Sequence, residues 1–157
     1  MAHFVTFPEF DIHPFAAEPD IIKPLWLAFD HRGRLWIAES VDYPNQLQPE
    51  GMGRDRLKIV EDTDGDGLAD KFTVFADKLS IPTSFVFAEG GVMVVHSGRI
   101  ELLRDTDGDD VADERRVIME GWGTNDTHAT VSNLRYGFDN WIWGVVGYSG
   151  FNGTVGG

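Results

Sequence analysis

At 157 residues, 42% hydrophobic and 12% aromatic, the chain has the size of one domain and enough apolar side chains to bury a core, which excludes a disordered polyelectrolyte. A formal charge of −13 excludes phosphate-rich partners such as nucleic acid or an anionic membrane surface. With no Cys there are no disulfides, thiolate metal sites or covalent haem links within this piece, and no apolar run approaches the roughly 20 residues that cross a bilayer.

Residues 1–24, punctuated by Pro8, Pro14, Pro19 and Pro24, read as an extended lead-in. No charged-then-apolar leader precedes it, so the chain is expected to begin already mature or trimmed. Residues 25–29 and 35–38, joined through His31-Arg32-Gly33, predict a plain β-hairpin. Residues 39–55, rich in Pro, Gln and Gly, predict a loop on a functional face, in which Asp42 caps and Tyr43 packs or lines a pocket.

Two acidic runs follow, Asp62-Thr63-Asp64-Gly65-Asp66-Gly67-Leu68-Ala69-Asp70 and Asp105-Thr106-Asp107-Gly108-Asp109-Asp110-Val111-Ala112-Asp113. Each places carboxylates at loop positions one, three, five and nine, and position seven, Leu68 or Val111, adds a backbone carbonyl. Hard divalent cations take six to eight oxygens at short range, so both loops read as calcium sites. An EF-hand would need a bidentate Glu at position twelve and flanking helices, but position twelve is Thr73 or Arg116 and the flanks are β-branched and aromatic. Asp70 and Asp113 must then close the cages, and Gly67 or Asp110 at position six supplies a left-handed backbone. The pattern resembles the nine-residue calcium hairpins between strands of some β-propellers, as in integrin α-subunits.

Residues 85–88 and 92–96 predict a second plain hairpin, and 134–138 with 141–146 a third. The acidic loops start 43 residues apart, a period suited to propeller blades. Plain and calcium hairpins alternate, and two hairpins make one four-stranded antiparallel blade. The expected fold is therefore all-β, a partial β-propeller over residues 25–157. Residues 25–76 form one blade with the 39–55 insert, 83–119 a second, and 132–157 the start of a third, about two and a half blades in all. Such a number leaves edges open, so a fragment is expected, completed by further blades of a longer chain or by self-association into a ring. The Gly-rich stretch 147–157 is expected to be a loop.

The segment 121–133 joins a calcium hairpin to a plain one and carries His128 with Asp126 two residues before it. A neutral imidazole is the usual general base near neutral pH, and that carboxylate could either orient it or cap the loop. His96 ends an apolar strand and reads as a rim or satisfied core residue. Trp36, Trp141 and Trp143 read first as core or inter-blade packing and only second as stacking surfaces for sugars. His3 and His13 have no partners at ligand spacing.

The run Leu134-Arg-Tyr-Gly-Phe-Asp-Asn-Trp-Ile-Trp-Gly-Val-Val-Gly-Tyr-Ser-Gly150, preceded by Asp126-Thr-His128, resembles the soluble quinoprotein (glucose/sorbosone) dehydrogenase superfamily. The opening from Pro24 to Glu39 is similar to the first blade of that superfamily. Closer still, Glu39-Ser-Val-Asp-Tyr-Pro-Asn45 and Asp62-Thr-Asp-Gly-Asp66 resemble the membrane-bound dehydrogenase domain of large bacterial proteins that also carry a haem-binding region. The resemblance implies a six-bladed propeller using pyrroloquinoline quinone, with His128 in the place of the catalytic base and a sugar or other alcohol as substrate. The quinone-binding Arg and Lys of that superfamily come from later blades, so this piece is not expected to be active alone. Calcium loops of low affinity work where calcium is plentiful, so the expected location is periplasmic or extracellular in a bacterium. The alternative function is a non-catalytic, calcium-stabilised propeller that binds a protein or glycan.

Overall fold

The computed structural model describes residues 5–155; residues 1–4 and 156–157, including His3 and the last two glycines of the expected third blade, lie outside the described residues. Eleven strands and no helix are present among them, and every strand pair is antiparallel. The first sheet has the order β1(Pro24–Phe29), β2(Leu35–Glu39), β3(Asp55–Glu61) and β4(Lys71–Leu79). The second contains β5(Ser84–Ala88), β6(Gly91–His96), β7(Arg99–Arg104) and β8(Glu114–Trp122), and the third pairs β9(Ser132–Tyr136) with β10(Ile142–Val145).

Turn chemistry accounts for the hairpins. Asp30 Oδ1 accepts the backbone amides of Arg32 and Arg34, both at 2.9 Å, and Gly33 supplies a φ of +79°. Glu89 and Gly90 both have positive φ, +52° and +72°, as a two-residue turn matched to strand twist requires. The strands outrun the sequence-based limits by about one turn's worth of residues, since β4 continues to Leu79 and β8 to Trp122.

The chain end departs from expectation. Residues 151–155 are not loop but a strand, β11(Phe151–Val155), which returns to pair with β8 and makes the second sheet five-stranded. The glycines there serve close approach: a Cβ on Gly153 would sit 1.7 Å from the Glu120 carbonyl oxygen, and one on Gly121 2.3 Å from the Gly153 Cα. Phe151 packs on Trp122 with ring centroids 4.9 Å apart.

Strands β5 and β6 of the second sheet are apolar on both faces because both are covered, whereas β8 is mostly exposed. Phe85, Val92, Val94 and Leu103 join Trp36, Leu57, Ile59 and Phe75 of the first sheet in one core. Val86, Val95 and Ile100 point the other way and pack on Val131 and Leu134 beside the third sheet. Alternation along β5 and β6 thus feeds two cores, which is why 92–95 reads Val-Met-Val-Val rather than apolar-polar. The first strands of the three sheets lie side by side, β1 next to β5 and β5 next to β9. Trp26 Nε1 donates to the Phe85 carbonyl at 3.1 Å, and the Leu134 amide donates to Ser84 Oγ at 3.1 Å.

The lead-in crosses the first sheet. The Ile22 amide donates to Glu39 Oε1 (2.8 Å), buried Lys58 donates to the Asp20 carbonyl, and Lys58 Nζ lies 3.1 Å from the same Glu39 oxygen. Since strands run up and down, the connections divide between two ends. Turn 30–34, the acidic loops and the turns 89–90 and 137–141 lie at one end; residues 40–54, 80–83, 123–131 and 146–150 lie at the other.

Candidate functional site

At the first end, each acidic loop brings three of its four expected carboxylates together. Carboxylate oxygens of Asp62, Asp64 and Asp70 lie within 4.8 Å of one another, as do those of Asp105, Asp107 and Asp109. Asp66 and Asp113 complete each loop but stand outside these triads. Backbone amides shape the cages: Asp62 accepts Gly65 (2.7 Å) and Gly67 (2.9 Å), and Asp105 accepts Gly108 (2.7 Å) and Asp110 (2.9 Å). Asp70 and Asp113 each take the hydroxyl of the position-two Thr at 2.7 Å. Gly67 and Asp110 both adopt the left-handed backbone, φ +90° and +66°.

The electrostatics differ between carboxylates. The Gly67 amide, foremost among several, holds Asp62 below the usual carboxylate range. At Asp105 desolvation opposes ionisation, and the amides of Gly108, Asp110 and Asp109 outweigh it. Asp107 is pushed upward, first by the charge of Asp109 and then by desolvation and by Asp113 and Asp105. This is repulsion that a cation would relieve. The all-oxygen triads Asp62, Asp64 and Asp70 and Asp105, Asp107 and Asp109 are of the donor type that a hard divalent ion takes.

Each loop is also docked on its surroundings. The Ala112 amide donates to the Phe75 carbonyl of β4, and the Ala69 amide to the Phe15 carbonyl of the lead-in, both at 2.8 Å. Asp110 accepts Arg34 Nη1 at 2.8 Å, while Arg34 Nε holds Asp30, which also takes Trp36 Nε1 at 3.0 Å. His13, for which the sequence suggests no role, stands against Gly67: a Cβ there would meet its Nε2 at 3.2 Å.

At the opposite end, Asp55 organises residues 40–54. It is buried and accepts Ser40 Oγ (2.6 Å) and the amides of Val41 (2.6 Å), Asp42 (3.0 Å) and Ile81 (2.6 Å). Asp42 is buried beside it, accepting Arg54 Nε at 2.6 Å and Ser80 Oγ at 3.1 Å. Ser40 Oγ in turn accepts the Tyr43 amide at 2.9 Å. Tyr43 therefore leaves a rigid base and meets His128 edge to face, with centroids 5.3 Å apart at 66°.

His128 is bound to Asp126 twice, through its backbone amide (2.8 Å) and Nδ1 (3.1 Å), both to Oδ1. Orientation and capping are thus the same contact. Tyr148 donates to the other oxygen, Asp126 Oδ2. The Tyr148 phenol, then the amide and ring of His128, hold Asp126 below the usual range, and Asp126 pushes the Tyr148 phenol up. Beside them lies an open depression of about 830 Å³ lined by residues 44–48 and 124–127, among them the amides Asn45, Gln46, Gln48 and Asn125. Thr127 Oγ1 ties the two walls by donating to the Pro44 carbonyl at 2.9 Å.

Of the remaining candidates, His96 is buried, its Nε2 3.1 Å from Glu101 Oε2, while Arg99 grips the other Glu101 oxygen at 2.8 Å. Trp36 is core. Trp141 and Trp143 are not core, being 72% and 59% exposed, because β9 and β10 carry nothing on their outer face among the described residues. No sequence signal marks Tyr148 or Asp55; the four donors that converge on Asp55 in space reveal its part.

An antiparallel all-β protein with paired acidic hairpin loops at one end and a Tyr–Asp–His cluster at the other is the class these features define. The chain belongs to the family described as Domain of unknown function (DUF7133), whose profile matches residues 1–156. No curated protein and no solved structure matches it.

Proposed function

We propose that this chain is a segment of a calcium-stabilised β-propeller dehydrogenase of the quinoprotein type, which oxidises a sugar or another alcohol with His128 as general base. The observation that carries the proposal is the Nδ1 contact of His128 to Asp126, which leaves Nε2 to take a proton, with Asp126 itself on the wall of a depression lined with amide side chains. Adjacent first strands in three successive sheets support the propeller reading, because first strands ring the axis of a propeller.

Alcohol oxidation removes a proton from the hydroxyl and a hydride from its carbon. Nε2 of His128 accepts the proton; Asp126, held ionised, stabilises the imidazolium. Amide side chains and Tyr43 suit a neutral polyol, while Asp126 repels anionic substrates. The lining residues 44–48 and 124–127 include no Arg or Lys. They therefore do not fit the carboxylates of pyrroloquinoline quinone, and the hydride acceptor must be held by residues other than these.

Each calcium would take the Asp side chains of one loop, Asp62, Asp64, Asp66 and Asp70 or Asp105, Asp107, Asp109 and Asp113, with the Leu68 or Val111 carbonyl. Lying at the end away from His128, the ions serve rigidity rather than chemistry. Such loops favour a calcium-rich place, so a periplasmic or extracellular location belongs to the proposal. No helix of the described residues is long and apolar enough to cross a membrane.

The test is dye reduction by the full-length protein reconstituted with quinone. His128→Ala should lower turnover by roughly 10²–10⁴-fold, the usual contribution of a positioned acid–base group; unchanged turnover removes the base. A second reading, a non-catalytic module binding a glycan or protein, is favoured by exposed Trp141 and Trp143. It predicts carbohydrate or protein binding that survives His128→Ala and falls in Trp141→Ala, with no dye reduction.

A further inference from the structure

We propose that Tyr148 is a positioning residue for His128: its phenol, acting through Asp126, keeps the imidazole proton on Nδ1 and the lone pair on Nε2. The proposal rests on the reading of His128 as a base. Asp126 is the hinge of the argument. Its Oδ1 is shared by the His128 amide and Nδ1, and a carboxylate held by one oxygen alone is still free to turn about Cβ–Cγ. The Tyr148 hydroxyl on Oδ2 removes that freedom, so both oxygens are committed and the ring keeps one orientation.

The turn that carries Tyr148 is built to deliver it. β11 brings the chain back along β8, and the Gly123 amide donates to the Gly150 carbonyl at 3.0 Å. Residues 147–150 lie so close to the β8–β9 connection that a Cβ on Gly147 would be 2.3 Å from the Ala129 carbonyl oxygen. One on Gly123 would be 2.1 Å from that of Ser149. Two glycines therefore set the height of the Tyr148 side chain against the segment that holds Asp126 and His128. Tyr148 itself is 82% exposed, so it contributes little to any core, and its polar tip is the part in use. The shifts agree: the phenol is the foremost cause holding Asp126 ionised, and Asp126 pushes the phenol up.

The test is ring ¹⁵N–¹H correlation NMR of the protein at a pH where His128 is neutral, with its signals assigned by their loss in His128→Gln. A charge-assisted hydrogen bond to Nδ1–H should favour that tautomer by roughly tenfold or more in the wild type. Asp126→Asn should bring the two forms within about threefold. Tyr148→Phe should give an intermediate ratio, shifted several-fold, with a melting temperature within about 2 °C of wild type. A Tyr148→Phe spectrum indistinguishable from wild type would overturn the proposal, as would a wild-type proton on Nε2. Neither readout depends on turnover: if His128→Ala leaves activity intact the base reading fails while the tautomer result stands. If His128→Ala abolishes activity and Tyr148→Phe leaves the ring unmoved, the positioning role fails alone.

Discussion

Replacing Asp55 by Ala should be the most damaging single change at the His128 end. Asp55 is 1% exposed and accepts four hydrogen bonds, three from the backbone amides of Val41, Asp42 and Ile81, which have no other partner among the described residues. Each buried donor left without an acceptor costs about 1–3 kcal/mol, and water reaching residues 41–42 recovers part of that, so the loss should be about 3–5 kcal/mol. For a chain of this size that is a fall in melting temperature of roughly 6–20 °C. Asp55→Asn keeps one acceptor oxygen and should lose about half as much. Circular dichroism melts of the three proteins, with the Tyr43–His128 ring contact followed by NMR, give both readouts. Asp55→Ala melting within about 2 °C of wild type would refute the claim that this carboxylate anchors residues 40–54.

Gly153→Ala should unpair β11, because its Cβ would fall on the Glu120 carbonyl; amide exchange across 151–155 should rise while β5–β7 keep their protection. Arg34→Met should cost about 2–3 kcal/mol in chemical denaturation, since it leaves buried Asp30 with only Trp36 and backbone amides as partners. Glu101 feels desolvation first, but its contacts with His96 and Arg99 win and hold it below the usual range. A carboxylate whose folded pKa is depressed stabilises above its unfolded pKa, about 4.3, and loses that contribution as pH falls through the lower folded value. Melting temperature should therefore drop below about pH 4, and Glu101→Gln should flatten that acid limb.

Local chemistry made most of the framework legible. Turn residues and β-branched runs mark the first three hairpin pairs, and both acidic loops take a left-handed residue at position six, while the carboxylate that joins positions one and three differs, Asp70 in one loop and Asp109 in the other. The chain end was misleading because glycine signals two opposite things. The same residue that frees a loop also permits the close approach of β11 to β8, and only the position of Glu120 in space decides between them. Trp141 and Trp143 look like core by composition, yet exposure depends on what covers a sheet, which is non-local. At the candidate site, His128 and Asp126 are two residues apart and could be paired on paper. Tyr148 and Tyr43 reach them from 20 or more positions away, through contacts that no spacing encodes, and Asp55 acts only through the Ser40–Tyr43 segment.

On the proposed reading both acidic loops bind calcium, and the ions hold this array of hairpins together. Isothermal titration of the chelator-stripped protein with calcium tests it most directly. Two ions per chain are expected, one lost in Asp64→Asn and the other in Asp107→Asn, with melting temperature rising as the logarithm of free calcium. No heat of binding and no shift in melting at millimolar calcium would contradict it.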